Sequence, residues 1–268
     1  MTLPSSCGRC TDRKGIAILI PDRSFIETEL ASGGLNPVIY VYSETDSTNT
    51  RAREILKDSD GEILVLASAQ TQGKGSHGRS FFSPADTGLY FTASFSGLAF
   101  ELPVTFAAAV AAVNALKKYG ITTEVKWVND IMISGRKAGG ILCERLPGGQ
   151  VIVGIGINLE EPQGGFPADI SDIAASVGSE SGIRDMLAVE LYRELEKTVR
   201  MEGGEIIERY RAVCGTTGRL ISFSLDGSRK TGTARSVGND GSLLVELEGG
   251  ETVSLVSGDV SIRYETDC

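Results

Sequence analysis

The feature that most limits the possible folds is a run of three closely spaced strand patterns between residues 124 and 159, EVKWVNDIMI, AGGILCER and QVIVGIGINL. Short connections join them, which predicts a meander and not the βαβ alternation of a parallel sheet. Two glycine pairs, Gly139-Gly140 and Gly154 with Gly156, interrupt these strands. Each glycine destabilises a strand by about 0.5–1 kcal/mol relative to alanine. Strand glycines are kept where a ligand or another backbone comes close, or at tight bends of a sheet, and the pattern leaves both explanations open.

The residues before the meander predict further strands and two helices. Strand patterns occur in VIYVYSE (38–44), EILVLASA (62–69) and LYFTASF (89–95). One short helix is predicted for STNTRAREILK, and a second begins at Pro103 and runs to about Tyr119. The second helix is apolar on nearly every face, so we expect it to be buried. The segment that ends at Asn36-Pro37 is expected to be irregular.

After a loop at 160–182, the pattern predicts two more helices and then a change of structural class. Apolar residues recur every fourth position from Ile183 to Val199, and EIIERYRAV ends near Cys214. From Gly215 onward, short strand patterns alternate with DG, NDG and EGG turns, which is typical of a small β-barrel. The sequence therefore predicts an N-terminal tail (1–37), an α+β domain with a mixed β-sheet flanked by helices (38–214), and a small barrel (215–268).

Composition excludes several classes of function. The formal net charge is −9, with 35 acidic and 26 basic residues, so the chain as a whole repels nucleic acid and anionic membranes. It contains no apolar run long enough to span a bilayer and no signal peptide pattern, which predicts a cytoplasmic protein. The five cysteines fit reduced thiols, and Cys7 and Cys10 lack the partners of a zinc site. With His77 as the single histidine, catalysis must depend on lysine, arginine, carboxylates and backbone N–H groups.

A glycine loop, GKGSHG (73–78), matches the dinucleotide-binding pattern G-x-G-x-x-G in form. The residues after it, RSFFSPADTG, contradict the helix that this pattern requires, and no acidic residue ends the following strand to hold a ribose. The physical property of such loops remains, because glycines allow backbone N–H groups to approach a phosphate. Lys74 and Arg79 add the positive charge that an anion needs.

Four segments in sequence resemble the biotin–protein ligase family. They are YSETDSTN (42–49), QTQGKGSHGRSFFSP (70–84), KWVNDIMISGRKAGGILCE (126–144) and VGIGINL (153–159). With the C-terminal VSGDVSIR, the resemblance covers about 38–264. It implies a catalytic domain like that of class II aminoacyl-tRNA synthetases and an SH3-like barrel. It also implies a form that lacks the N-terminal DNA-binding winged helix of some relatives, and hence no operator binding.

The resemblance implies an ATP-dependent ligase that activates biotin as biotinyl-5′-AMP and transfers it to a lysine of a biotin carboxyl carrier domain. The residues suit this chemistry, because a carboxylate and a triphosphate meet only where cations offset their repulsion. The resemblance assigns Lys137 to the bridge between the biotin carboxylate and the α-phosphate, although a lysine at a strand end can also simply be exposed. Asp130 and Arg79 complete the expected catalytic set.

The family pattern also assigns binding residues. Those expected to bind biotin are Ser47, Thr48, Asn49, Gln70, Gly73, Lys74, Gly75, Ser76, Lys137, Gly140, Gly154 and Gly156. Those expected to bind the nucleotide are Arg79, Phe81, Asn129, Asp130, Lys137 and Asn158, with Asp130 as a possible ligand of Mg²⁺. Ser47 and Thr48 could alternatively cap their helix. ATP, Mg²⁺ and biotin are thus implied as ligands and a carboxyl carrier domain as partner, with no DNA, no membrane and a possible homodimer.

Three departures from the family pattern stand out. Relatives usually carry arginines in G-R-G-R-x-G-R, where this chain has Lys74 and Ser76, so we expect it to release the adenylate more readily. Val128 replaces a proline, and AASV (174–177) stands where A-T-S-L is common. A lipoate or octanoate ligase or transferase of the same fold, and a non-catalytic biotin- or nucleotide-binding module, remain alternative functions.

Overall fold

The computed structural model describes residues 9–11, 17–98, 104–178, 181–225, 227–256 and 260–262. Its strands are β1 (Arg9–Thr11), β2 (Ala17–Leu19), β3 (Val38–Tyr42), β4 (Ile63–Ala67), β5 (Gly88–Phe95), β6 (Glu124–Lys126), β7 (Asp130–Ile133), β8 (Arg136–Arg145), β9 (Val151–Asn158), β10 (Leu220–Leu225), β11 (Ser228–Val237), β12 (Leu243–Leu247), β13 (Thr252–Leu255) and β14 (Val260–Ile262). Its α-helices are α1 (Arg23–Ser32), α2 (Thr48–Ile55), α3 (Val104–Lys118), α4 (Arg184–Thr198) and α5 (Gly203–Val213).

The large sheet has seven strands in the order β3-β4-β5-β9-β8-β7-β6. Strands β3 and β4 are parallel, and the other neighbouring pairs are antiparallel, so the sheet is mixed as predicted. One detail of the predicted meander is wrong, because EVKWVNDIMI forms two strands, β6 and β7, and not one. The chain reverses at Trp127–Asn129, and Lys126 and Asp130 pair across this turn with an ion pair of 3.0 Å.

The two faces of the large sheet are covered differently. Strand β9 directs Val153, Ile155 and Ile157 into the main core, where α1, α3, α4 and α5 lie. On the opposite face, Ile152 packs with α2 in a smaller cluster. Since side chains alternate along a strand, Gly154, Gly156 and Asn158 fall on the α2 face. Gly140, Gly154 and Gly156 are therefore gathered beneath α2 and the glycine loop, on the side that we call the site face, whereas Gly139 pairs with Ile157 and lies on the core side.

The helices largely follow the sequence prediction. Helix α3 is buried along nearly its whole length and packs against α4 and α5. Pro103, the predicted first residue of this helix, lies outside the described residues. The expectation of an irregular segment before Asn36 is wrong, because residues 23–32 form α1, which Asp22 caps by accepting a hydrogen bond from the Phe25 N–H. Ile26 and Leu30 of α1 are completely buried, so this segment is part of the core.

The C-terminal residues form a five-stranded antiparallel sheet in the order β13-β12-β11-β10-β14. Hydrogen bonds from Trp127 join this β domain to the turn between β6 and β7. The Trp127 N–H donates to Thr216 Oγ1 at 2.8 Å, and Trp127 Nε1 donates to the Gly241 carbonyl at 3.1 Å. Among the described residues, no helix is long and apolar enough to cross a membrane.

Candidate active site

A small cavity lies on the site face, between α2, the glycine loop and strands β8 and β9. Its volume is about 40 Å³. It is lined by Ser47, Thr48, Asn49, Gln70, Lys74, Gly75, Ser76, Phe81, Phe91, Asn129, Lys137, Gly140, Ile141, Leu142, Gly154, Ile155 and Gly156. The structure thus brings together every residue that the sequence assigned to biotin except Gly73.

Gln70 is held in one orientation at the cavity wall. Its Oε1 accepts hydrogen bonds from the backbone N–H and the hydroxyl of Thr48, at 2.8 and 3.1 Å. Its Nε2 donates to Ser83 Oγ at 2.9 Å, and Ser83 in turn donates to the Phe81 carbonyl. The donors and acceptors of this wall are therefore fixed before a ligand arrives.

Asn49 is held more deeply, by residues that sequence reasoning missed. Its Nδ2 donates to the Leu142 carbonyl at 3.2 Å and to Glu144 Oε1 at 2.9 Å, while its Oδ1 accepts from Thr92 Oγ1 at 2.7 Å. Glu144 also pairs with Arg53 of α2. Thr92 is fully buried in the apolar strand LYFTASF. A polar residue in such a strand was the sequence feature that could have predicted its role.

The Ser47 hydroxyl does not cap α2, although Ser47 occupies the N-cap position. The hydrogen bonds at this position are made instead by the carboxylate of Asp46. Its Oδ1 accepts from the Ser47 N–H at 2.7 Å and from Thr45 Oγ1 at 3.0 Å. Arg51 also pairs with Asp46 at 3.0 Å. The alternative capping role of Ser47 is thus wrong, and its hydroxyl lines the cavity.

The glycine loop is folded back on itself as a narrow hairpin. Gly75 N–H donates to the Arg79 carbonyl and Phe81 N–H to the Gly73 carbonyl, both at 2.8 Å. A β-carbon at Gly73 would collide with the Phe81 carbonyl. Gly73 therefore permits a close backbone approach and does not itself line the cavity. The side chain of His77 lies outside the described residues.

Phe81 separates the small cavity from a larger groove. Its ring packs on the α-carbon of Gly156, and a β-carbon there would lie 2.5 Å from Phe81 Cε1. Gly140 lies beside the same ring, since a β-carbon added at Gly140 would lie 3.7 Å from Phe81 Cε2. Close approach, and not a bend of the sheet, therefore explains these two strand glycines. The ring of Phe81 approaches Gly156, and the amide of Asn49 approaches Gly154.

The larger groove has a volume of about 1160 Å³. It is lined by all six residues assigned to the nucleotide, namely Arg79, Phe81, Asn129, Asp130, Lys137 and Asn158. Seven residues line both the groove and the small cavity: Gly75, Ser76, Phe81, Asn129, Lys137, Ile141 and Leu142. Lys137 is the charged residue of this shared set, so its ammonium lies between the two compartments.

The side chain of Lys137 is oriented by Asp130. Lys137 Nζ lies 2.5 Å from Asp130 Oδ1, and Lys126 Nζ lies 3.0 Å from Asp130 Oδ2. Burial alone would raise the pKa of the Asp130 carboxyl, but the ammonium groups of Lys137 and Lys126 outweigh burial and hold this pKa below its ordinary value of 3.8. Asp130 is therefore ionised at neutral pH.

The backbone of Lys137 is held by a segment that the sequence left as a variable loop. Lys137 N–H donates to the Ile173 carbonyl at 2.7 Å, and Ala175 N–H donates to the Lys137 carbonyl at 2.8 Å. Asn158 Nδ2 donates to the Ala175 carbonyl at 3.0 Å, and Val177 N–H returns a hydrogen bond to the Asn158 carbonyl at 2.8 Å. Residues 173–177 thus hold both Lys137 and Asn158 in place through these hydrogen bonds.

The donor set does not fit a metal ion held by the protein. Both carboxylate oxygens of Asp130 face ammonium groups. Within the described part of the chain, no group of three or more histidine, cysteine, aspartate or glutamate side chains is placed to hold a metal. We therefore assign the expected role of Asp130 to charge pairing with Lys137 and attribute no step to Mg²⁺.

The fold and the two joined compartments define a ligand-binding α+β domain with a small β domain attached, and comparison with known proteins identifies the family. A model of the biotin/lipoate A/B protein ligase family matches residues 41–159, and a model of the biotin protein ligase C terminal domain matches residues 217–263. Residues 41–159 therefore belong to the biotin/lipoate A/B protein ligase family, and residues 217–263 form a C-terminal domain of the type found in biotin protein ligases.

Individual relatives agree with this assignment. The chain is 32% identical over 186 residues to the bifunctional ligase/repressor BirA of Bacillus spizizenii, covering 63% of this chain and 56% of that protein. It thus spans little more than half the length of that relative. It is 28% identical over 270 residues to the biotin--[acetyl-CoA-carboxylase] ligase of Mycobacterium tuberculosis, covering 93% and 98% of the two chains. The biotin protein ligase of Aquifex aeolicus, solved with biotin and ATP, superimposes with a TM-score of 0.68 at 25% identity, covering 84% and 98%.

Proposed function

We propose that this protein is an ATP-dependent ligase that joins biotin to a lysine of a biotin carboxyl carrier domain. The observation that carries the proposal is the position of Lys137, whose side chain lines both the small cavity and the groove. A cation at this junction can contact a carboxylate from one compartment and a phosphate from the other. That is the requirement for bringing two anions into contact.

The first reaction forms the mixed anhydride. A carboxylate oxygen of biotin attacks the α-phosphorus of ATP, the bond from that phosphorus to the oxygen that bridges to the β-phosphate breaks, and pyrophosphate leaves. Lys137 offsets the negative charge at the reacting carboxylate and α-phosphate, and Asp130 keeps its ammonium directed there. Because no side chain acts as a nucleophile, the enzyme contributes orientation and charge compensation.

The second reaction transfers the biotinyl group. The neutral amine of the acceptor lysine attacks the acyl carbon, the bond between that carbon and the phosphate oxygen breaks, AMP leaves, and the proton of the amine passes to solvent. The glycine loop with Arg79 covers the phosphate, and Phe81 or Phe82 covers the adenine. In this proposal, residues 38–214 form the catalytic domain and residues 215–268 the accessory β domain, with α1 added to the catalytic core.

One assay tests the function. The protein is incubated with ATP, Mg²⁺, biotin and a biotin carboxyl carrier domain, and pyrophosphate and covalent labelling are measured. We expect stoichiometric labelling of one lysine, and replacement of that lysine by arginine serves as the control. Labelling with lipoate or octanoate in preference to biotin would support a lipoate-type ligase. Ligand binding without pyrophosphate release would support a non-catalytic module.

A further inference from the structure

The groove extends from the Lys137 junction to a loop of the C-terminal β domain. Asp240, Gly241 and Val256 of this domain line the same continuous groove as Lys137 and Ser76. The family pattern in the sequence assigned no site residue beyond Asn158, so these three positions had no expected role. The question is what a carboxylate at this end of the groove contacts during the reaction.

The loop that carries Asp240 is fixed against the catalytic domain. The ring of Phe106 packs on the α-carbon of Gly241, and Trp127 Nε1 donates to the Gly241 carbonyl at 3.1 Å. Arg211 of α5 donates to the Val237 carbonyl and to Asn239 Oδ1, both at 2.7 Å. These contacts come from three separate parts of the catalytic domain, so the loop occupies a defined position in the groove wall.

The carboxylate of Asp240 is also fixed. Its Oδ1 accepts hydrogen bonds from the backbone N–H of Ser242 at 3.0 Å and from the Ser242 hydroxyl at 2.7 Å. These two bonds favour the ionised form and lower the pKa of Asp240 from its ordinary value of 3.8. Among the residues that the structure describes, no lysine or arginine forms an ion pair with Asp240. Within the described part of the chain, the carboxylate of Asp240 is therefore an exposed negative charge at the groove wall without a matching cation.

The surroundings of Asp240 suit an alkyl chain that ends in a cation. Phe106 and Trp127, which contact the neighbouring Gly241, line the groove together with Val128 and Cys143. Burial raises the pKa of the Cys143 thiol to about 12, so this side chain stays neutral and apolar. A lysine side chain has four methylene groups that bury well on such a surface while the ammonium keeps a polar partner.

The two ends of the groove differ in charge, and the difference matches the needs of the transfer reaction. At the junction, Lys126 and Lys137 share the single carboxylate of Asp130, which disfavours an additional ammonium and favours a neutral amine. At the β-domain end, Asp240 favours the ammonium. The ammonium form of an incoming lysine is therefore favoured at Asp240, and its neutral amine form, which reacts, is favoured near Lys137.

We propose that Asp240 binds the ammonium group of the acceptor lysine as that side chain enters the groove. Asp240 is thus a positioning residue for the transfer step, and adenylate formation does not involve it. This inference rests on the proposed ligase function. The partner that it predicts is a carrier domain whose target lysine reaches the groove past the loop at 238–241.

The test is the Asp240→Asn variant, because an asparagine Oδ1 can still accept both hydrogen bonds from Ser242. Adenylate is first formed on the enzyme with ATP and biotin, and transfer is then followed in single turnovers at increasing concentrations of acceptor domain. We expect about a two- to fivefold rise in the acceptor concentration that gives half-maximal transfer, since the loss of a contact with an exposed charge has about this size. The rate of pyrophosphate release should stay unchanged.

Asp172 supplies a matched control, because it is an exposed carboxylate that lines the same groove from another loop. Asp172→Asn should leave transfer unchanged. Equal transfer by wild type and Asp240→Asn, or equal losses in both variants, would overturn the proposal. Slower pyrophosphate release with unchanged transfer in Asp240→Asn would also overturn it, since the carboxylate would then serve the nucleotide. A wild-type protein that releases no pyrophosphate would instead refute the ligase function itself.

Discussion

The ring of Phe81 rests on the α-carbon of Gly156 at the junction of the small cavity and the groove. The cavity behind the ring measures about 40 Å³, whereas pockets for small organic ligands measure about 300–1,000 Å³. In the proposed function, we therefore expect the ring of Phe81 to leave Gly156 when biotin enters the cavity. The same ring is then available to cover the adenine.

Removal of this ring should accelerate entry of biotin. In the Phe81→Ala variant we expect the association rate of biotin to rise at least about fivefold, because the open state no longer has to be reached first. The preformed adenylate should also dissociate faster. Stopped-flow binding measures both rates. Phe82→Ala is the control, since Phe82 lines the groove but not the cavity, and similar biotin association rates in both variants would contradict the role of Phe81.

Replacement of Lys137 should affect chemistry more than binding. For Lys137→Ala we expect adenylate formation to slow by about 10²–10³-fold, as for other single groups that stabilise a developing charge. Asp130→Asn retains Lys137 but removes its partner, and should slow the same step by roughly tenfold, as expected for a lost hydrogen bond to a charged group. Single-turnover formation of pyrophosphate distinguishes the two effects. Adenylate formation at the wild-type rate in Lys137→Ala would exclude the bridging role.

The resemblance to a known family predicted that the segments around Ser47, Gln70 and Lys137 form one site. The fold brings these segments around one cavity. Helix α3, predicted from its terminal signals and apolar composition, and helix α4, predicted from its apolar spacing, were also predicted correctly. In these cases local preference and tertiary packing require the same residues.

The features that the sequence did not predict have a different physical origin, because they depend on contacts between distant segments. Helix α1 has only Ile26 and Leu30 as fully buried apolar residues, and it is stabilised by packing on α4, which no local pattern reveals. Glu144 acquires its role from Asn49, 95 positions away in the sequence. The turn at Trp127–Asn129 interrupts a continuous strand pattern because Thr216 and Gly241 of the β domain bind it from outside.

Retention of the adenylate should depend on the side chain at position 76. Ser76 lines both compartments, but it lacks the guanidinium that relatives usually carry there. A charge-assisted hydrogen bond contributes about 1.5–3 kcal/mol, so Ser76→Arg should slow adenylate release by about 10- to 100-fold. Stopped-flow release after rapid dilution measures this rate. Lys74→Arg, which changes no net charge, is the control, and identical release by Ser76→Arg and wild type would end the hypothesis.

Acid should remove the stabilisation that Asp130 provides. Its pKa in the folded protein lies below the ordinary value of 3.8 because of Lys137 and Lys126, although burial opposes this shift. A depressed carboxyl pKa stabilises the fold fully above the unfolded-state pKa, and this stabilisation is lost as the pH falls through the folded-state pKa. The difference in unfolding free energy between wild type and Asp130→Asn should therefore be constant near neutral pH and shrink below pH 3.8. Urea unfolding at a series of pH values measures it, and a difference that grows on acidification would contradict the ion pairs.

A side chain at Gly154 should be destabilising, because the amide of Asn49 occupies the adjacent space in the cavity wall. A β-carbon at this position would overlap the amide of Asn49, whose position is fixed by Thr92, Leu142 and Glu144. Gly154→Ala should therefore destabilise the fold by about 1–3 kcal/mol, as overpacking in other cores does. The matched control is Gly204→Ala in α5, where an added β-carbon meets no atom within 4 Å, and where alanine should stabilise by about 0.4–1 kcal/mol. If urea unfolding gave the two variants equal stability, Asn49 would have to be mobile, and the ordered polar wall described for this cavity would not exist.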